Sequence, residues 1–144
     1  MTHIYKLRNI LLTVGTGTLV LLAWLWFSLF SPWGYVPPPG LPPIAQDEMH
    51  QVFAYGTLRQ PLVRWLVVGR RVATQAATLY GFRQQGRNWV AQAGALTRGE
   101  VFTVDADELR RLDRYERLGI RYRRSRQQLA SGASAWVYQR LDDD

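Results

Sequence analysis

Glu116 is the residue of this 144-residue chain best placed by type and spacing for acid–base chemistry. Asp105 and Glu108 form an Asp-x-x-Glu helix start directly after Val104, and Leu109 and Leu112 recur at helical spacing. With Leu109 at zero and a step of about 100° per residue, Leu112 lies near roughly 300° and Glu116 near roughly 340°. The carboxylate therefore shares the inward face with two leucines. Burial and the negative end of the helix dipole disfavour its ionised form and raise its pKa, whereas nearby Arg114, Arg117 and Arg121 lower it. A glutamate poised between those influences suits taking and returning a proton. The alternative is a side chain turned to solvent or paired with an arginine. Asp113, at roughly 40° on the same wheel, is expected to hydrogen-bond a neighbouring loop.

The second feature with chemical potential is Val52 to Leu58, VFAYGTL. An apolar strand that delivers Tyr55, Gly56, Thr57 and Leu58 into a turn presents consecutive backbone N–H groups. Gly56 lets a ligand approach without a Cβ in the way, and such a nest suits a carboxylate. An ordinary strand-to-turn glycine would read the same way.

The elements that must hold these residues are short. Strand-like segments run at about Gln51 to Tyr55, Ala76 to Phe82, Trp89 to Ala93, Gly99 to Val104, Arg121 to Leu129 and Ala135 to Leu141. Pro61 suits the first position of a short helix through Leu62, Trp65 and Leu66, and the capped helix after Asp105 is the other. The pattern is α+β, a small mixed β-barrel with one or two short helices.

Composition narrows the chemistry. Cysteine is absent, which excludes disulfides, thiolate metal sites and a cysteine nucleophile. The two histidines, His3 and His50, fall outside the expected domain of residues 51–144, so neither a histidine metal site nor a Ser-His-Asp triad is expected inside it. Residues 1–50 carry no net charge, while residues 51–144 hold 16 arginines against nine acids; eight of those arginines fall between Arg110 and Arg126. That density suits a solvated surface or an anionic partner. Nucleic acid is not expected, because no nucleic-acid motif or interleaving of aromatics accompanies the charge.

Ile10 to Phe30 is free of charge over 21 residues, long enough to cross a hydrocarbon core of roughly 30 Å as a helix. Trp24, Trp26, Trp33 and Tyr35 suit the far headgroup region. The run is longer than a signal-peptide core and ends in SLFSPWG without paired small residues, which favours an uncleaved anchor over residues 10–31. Lys6 and Arg8 precede it, and no Lys or Arg follows before Arg59. This predicts a cytoplasmic N-terminus, residues 1–9, and a domain outside the membrane, periplasmic in a double-membrane bacterium. Residues 32–50, with the run PPPGLPP, read as a semi-rigid polyproline spacer.

VFAYGTLR, then GEVFTV running into DADELRRLDRYE, then YRR and a closing AWVY strand resemble, in order, the γ-glutamylcyclotransferase-like family, in its AIG2-like, γ-glutamylamine cyclotransferase branch. The resemblance covers about Val52 to Arg140. It implies that Tyr55, Gly56, Thr57 and Leu58 bind a γ-glutamyl group through backbone amides. It further implies that Glu116, ending the Leu-Asp-x-x-Glu string, is the catalytic acid–base and that Tyr122 belongs to the site. The implied reaction is intramolecular aminolysis that releases 5-oxoproline and an amine, without metal or cofactor. At one position the chain departs from the pattern: Arg117 stands where members commonly carry glycine, and Gly119 follows two positions later. A second reading makes the domain a catalytically silent accessory subunit of a larger membrane complex, packed through Thr13 to Thr18 with Gly15 and Gly17 at the contact. An open cleft beside Glu116 favours the enzyme; a filled one favours the subunit.

Overall fold

The computed structural model describes residues 2–30, 34–85 and 88–141, and the chain divides into two compact units, Met1–Val36 and Pro37–Asp144. The first unit is built on helix α1, Thr2–Phe30. Within it, Lys6–Phe27 has a mean hydropathy of 2.0 and is nowhere buried, so by length and composition it can cross a membrane. Thr13 and Thr18 turn their hydroxyls back onto the carbonyls of Asn9 and Val14, at 2.8 and 2.9 Å. Neither hydroxyl needs water, as an apolar surrounding requires.

The second unit comprises β1 (His50–Ala54), a 3₁₀ turn (Thr57–Arg59), α2 (Pro61–Val68), β2 (Thr74–Gln85), β3 (Asn88–Val104), α3 (Ala106–Tyr115), β4 (Tyr122–Gln128) and β5 (Ser134–Arg140). Five strands form one mixed sheet in the order β2-β3-β1-β5-β4. The β1–β5 pair is parallel, with Val52 opposite Trp136, and the other three pairs are antiparallel. A bridge between Leu79 and Leu129, with Ala130 N donating to Thr78 O at 2.8 Å, joins the two outer strands. The sheet thereby closes on itself around Phe53, Leu79, Leu129, Ala135 and Val137. Glycine is needed at position 99 of β3, since a Cβ there would lie 2.5 Å from both Ala54 O and Phe53 Cζ. The α+β barrel expected from the sequence is the fold observed.

Local expectations fared unevenly. The capping box of α3 forms as read: Asp105 Oδ1 accepts from Glu108 N at 2.8 Å, and Glu108 Oε2 accepts from Asp105 N at 2.9 Å. The two strands expected at Trp89 to Ala93 and Gly99 to Val104 are one continuous β3. Gly94 does not end it but takes a positive φ of 78° where the β2–β3 register shifts, near Gly81 at 81°. The supposed spacer is also different, because the second unit starts at Pro37. Arg124 Nη2 donates to Pro42 O at 2.8 Å, and a Cβ on Gly119 would strike Pro38 Cγ at 2.5 Å. Pro38 and Pro42 therefore pack on the barrel instead of standing free of it. His50, placed outside the domain by the sequence reading, opens β1 and is buried, its Nε2 2.9 Å from Ala45 O.

Candidate active site

β1 emerges from the core at Ala54 and its chain turns at once. Arg59 N donates to Gly56 O at 3.1 Å and Gln60 N to Thr57 O at 3.0 Å. Those bonds consume the amides of Arg59 and Gln60 but not the preceding ones of Gly56, Thr57 and Leu58, which lie at the open start of the 3₁₀ turn. Buried Arg64, on α2, fastens the outer side of the turn: its Nη1 donates to Leu58 O at 2.9 Å, to Arg59 O at 3.2 Å and to Glu100 Oε2 at 3.2 Å. Gly56 has φ −105° and ψ −130°, and a Cβ there would meet no protein atom within 4 Å.

Glu116 arrives from the other side as the residue that ends α3. The chain then closes a Schellman motif, with Arg117 N on Arg114 O at 3.1 Å and Leu118 N on Asp113 O at 2.9 Å. Such a motif needs a left-handed residue one place beyond the cap, and Arg117 supplies it with φ 51°, the one positive-φ non-glycine among the described residues. A side chain in that conformation costs about 1 kcal/mol. The position where glycine would be expected thus takes the left-handed backbone that glycine adopts without strain. Gly119 N then donates to Tyr122 O at 2.7 Å, and β4 begins at Tyr122.

All six residues selected from the sequence, Tyr55, Gly56, Thr57, Leu58, Glu116 and Tyr122, line one cavity of about 180 Å³. Phe53, Ala54 and Tyr138 complete the lining. Burial pushes the Glu116 carboxyl up from 4.5 to about 7. Among the described residues no arginine forms an ion pair with it. Tyr122 is pushed above its usual value, first by burial and then by the charge of Glu116. Thr57 Oγ1 lies 3.4 Å from the hydroxyl of Tyr115 on α3, so the turn and the helix meet at the rim.

The sequence reading missed Tyr138 and misplaced Asp113. The Tyr55 hydroxyl donates to the carbonyl of Tyr138, and the Tyr138 hydroxyl donates to Asp113 Oδ1 at 2.6 Å. Asp113 Oδ2 lies 3.1 Å from Arg124 Nη1, an ion pair whose guanidinium is fully covered and stacks 4.5 Å from the Trp136 ring. Asp113 thus binds strands β5 and β4, not a loop. Burial raises its pKa, opposed by the hydrogen bond from Tyr138 and the charge of Arg124. Tyr138 is raised well above the ordinary phenol, by burial first and then by Asp113, and stays protonated as a donor. Ala135 and Val137 alternate onto one buried face of the closing strand, but Tyr138 falls on the opposite face, and no local pattern marks that face as the lining of a cavity. Among the described residues no three His, Asp or Glu side chains converge as a metal site.

The family model of γ-glutamyl cyclotransferase, AIG2-like, matches residues 52–144. The chain belongs to this family. Solved structures of similar fold include an Arabidopsis thaliana protein at 25% identity, TM-score 0.59, over 71% of this chain and 69% of that one. A γ-glutamyl cyclotransferase at 16% identity gives a TM-score of 0.54 over 66% and 68%. A mouse AIG2-like protein at 23% identity gives 0.51 over 65% and 78%. No curated protein matches the sequence.

Proposed function

We propose that this chain is a membrane-anchored cyclotransferase that releases 5-oxoproline from γ-glutamyl amides by proton transfer through Glu116. The observation that carries this reading is an open cavity lined both by the Gly56–Leu58 turn and by a carboxyl, Glu116, with a pKa of about 7 and unpaired among the described residues. Family membership supports the substrate class. In the reaction the α-amino nitrogen of the substrate attacks its own γ-carbonyl carbon, forming the ring C–N bond. Glu116 accepts the proton released from that nitrogen, and the turn amides stabilise the developing oxyanion. The bond to the leaving amine then breaks, and Glu116 returns the proton to its nitrogen. A carboxyl that titrates near neutrality serves both steps. The open cavity weighs against the silent-subunit reading, which called for a filled one.

The reaction is tested with the full chain in detergent micelles, supplied with γ-glutamyl amides and γ-glutamyl dipeptides while 5-oxoproline is measured. Product is expected with the wild type and roughly 10²–10⁴-fold less with Glu116→Gln. No product, or equal product from both, removes Glu116 from the mechanism.

α1 serves as the anchor in this proposal, with residues 1–9 cytoplasmic and the folded unit outside, supported by Lys6 and Arg8 ahead of the apolar run. The chain has no cysteine, so Asn9→Cys and Ser131→Cys can be probed in intact bacterial cells with a membrane-impermeant maleimide. Labelling is expected at position 131 and not at position 9; the reverse pattern inverts the orientation.

A further inference from the structure

The eight residues of α2, PLVRWLVV, contain one charged side chain, and it points the wrong way for a surface helix. Arg64 is buried with Val67 and Val68, whereas Leu62, Trp65 and Leu66 on the opposite side are 64%, 46% and 48% exposed. A helix that is apolar on both sides is covered on both sides in a finished assembly. Guanidinium groups surround the uncovered side. Arg71 shares a groove with Leu62 and Trp65. Arg111 reaches the C-terminal end of α2, its Nη1 3.5 Å from where a Cβ on Gly69 would stand. Arg59 is exposed just ahead of the first turn. Among the described residues none of these three arginines takes part in an ion pair.

We propose that the face formed by Leu62, Trp65 and Leu66, rimmed by Arg59, Arg71 and Arg111, seats on the surface of an anionic lipid bilayer. The inference rests on the reading of α1 as a membrane anchor, which brings the chain to a bilayer. A tryptophan between leucines with arginines at the margin is the composition of the boundary between headgroups and acyl chains. The net charge of +7 favours an anionic surface over a neutral one. A second copy is a poor occupant. A two-fold contact would set this arginine rim against an identical rim, and like charges would repel.

The full chain, free of cysteine, allows single labels. Leu66→Cys, Ser131→Cys on the turn between β4 and β5, and Leu21→Cys within α1 are each tagged with an environment-sensitive fluorophore. One chain is placed per lipid nanodisc, with nitroxide-bearing lipid as quencher. In discs containing phosphatidylglycerol, quenching at position 66 is expected to exceed that at position 131 by at least about twofold, with a blue-shifted emission. It should diminish in pure phosphatidylcholine, and also at about 0.5 M salt, where the screening length falls to roughly 4 Å. Replacing Arg59, Arg71 and Arg111 together by Gln should have the same effect. Strong quenching at position 21 with no excess at position 66 overturns the docking face while leaving the anchor intact. Absence of quenching at position 21 overturns the anchor and the proposal with it. Protection of position 66 that rises with protein concentration in lipid-free micelles assigns the face to a second copy and overturns the proposal.

Discussion

Burial is what separates Glu116 from an ordinary glutamate, and it has a stability consequence of definite sign. Its pKa rises from 4.5 to about 7 in the folded chain, so between those values the folded chain holds a proton that the unfolded chain has lost. Stability therefore falls as pH rises through that window and levels off above it, by about 3 kcal/mol in all. Glutamine, isosteric with the protonated form, carries no such penalty. Denaturant unfolding of Glu116→Gln is expected to show a gain of up to about 3 kcal/mol over the wild type at pH 8 and near equality at pH 4. Equal stability at both pH values would mean that the carboxyl is not held from water. A stabilising change that abolishes activity is the usual signature of a functional group kept at a cost to the fold. This residue was legible in the sequence because Leu109 and Leu112 fix the helix phase, and the phase carries one step past the last helical residue. Asp113 was legible as polar but not as the partner of Tyr138 and Arg124. Those contacts arise from strands distant in sequence, and no local period encodes them.

At the scale of elements, the turn after β1 and the turn after α3 do the positioning, and each relies on backbone more than on side chains. Gly56 illustrates this. No protein atom would touch an added Cβ, so the space beside this residue is open to what enters the cavity. Gly56→Ala is accordingly expected to lie within about 1 kcal/mol of wild-type stability while raising KM for a γ-glutamyl amide by about tenfold. Loss of fold, or an unchanged KM, would contradict the assignment of the loop. The helix start at Asp105 and the strand at Val52 were readable because capping and alternation are local. The continuity of β3 was not, because Gly94 reads as a break in sequence, whereas the structure uses it in a bulge of the β2–β3 pair. The parallel β1–β5 pairing, which brings Tyr138 beside Phe53 and Tyr55, depends on a long-range match that single-strand patterns do not specify.

Taken as a molecule, the chain joins an apolar helix to a basic barrel, and composition shows that contrast at a glance. What composition misplaced was the boundary. Proline suggested a free spacer, yet Pro38 and Pro42 lie against the barrel and His50 is inside it. Polyproline segments and packed extended segments share the same residue types, and only the surface opposite tells them apart. The account of the whole stands on a proton moving through Glu116 while substrate sits in the cavity. The pH dependence of kcat/KM for 5-oxoproline release by the full chain, wild type beside Glu116→Gln, tests it most directly, since kcat/KM reports groups of the free enzyme. The account predicts a limb rising with pH through an apparent pKa near the value of about 7 set by burial, and its disappearance in the Gln variant. A limb in the ordinary carboxylate range, or a limb near 7 that survives Glu116→Gln apart from the higher one of the substrate's own α-ammonium, would contradict it.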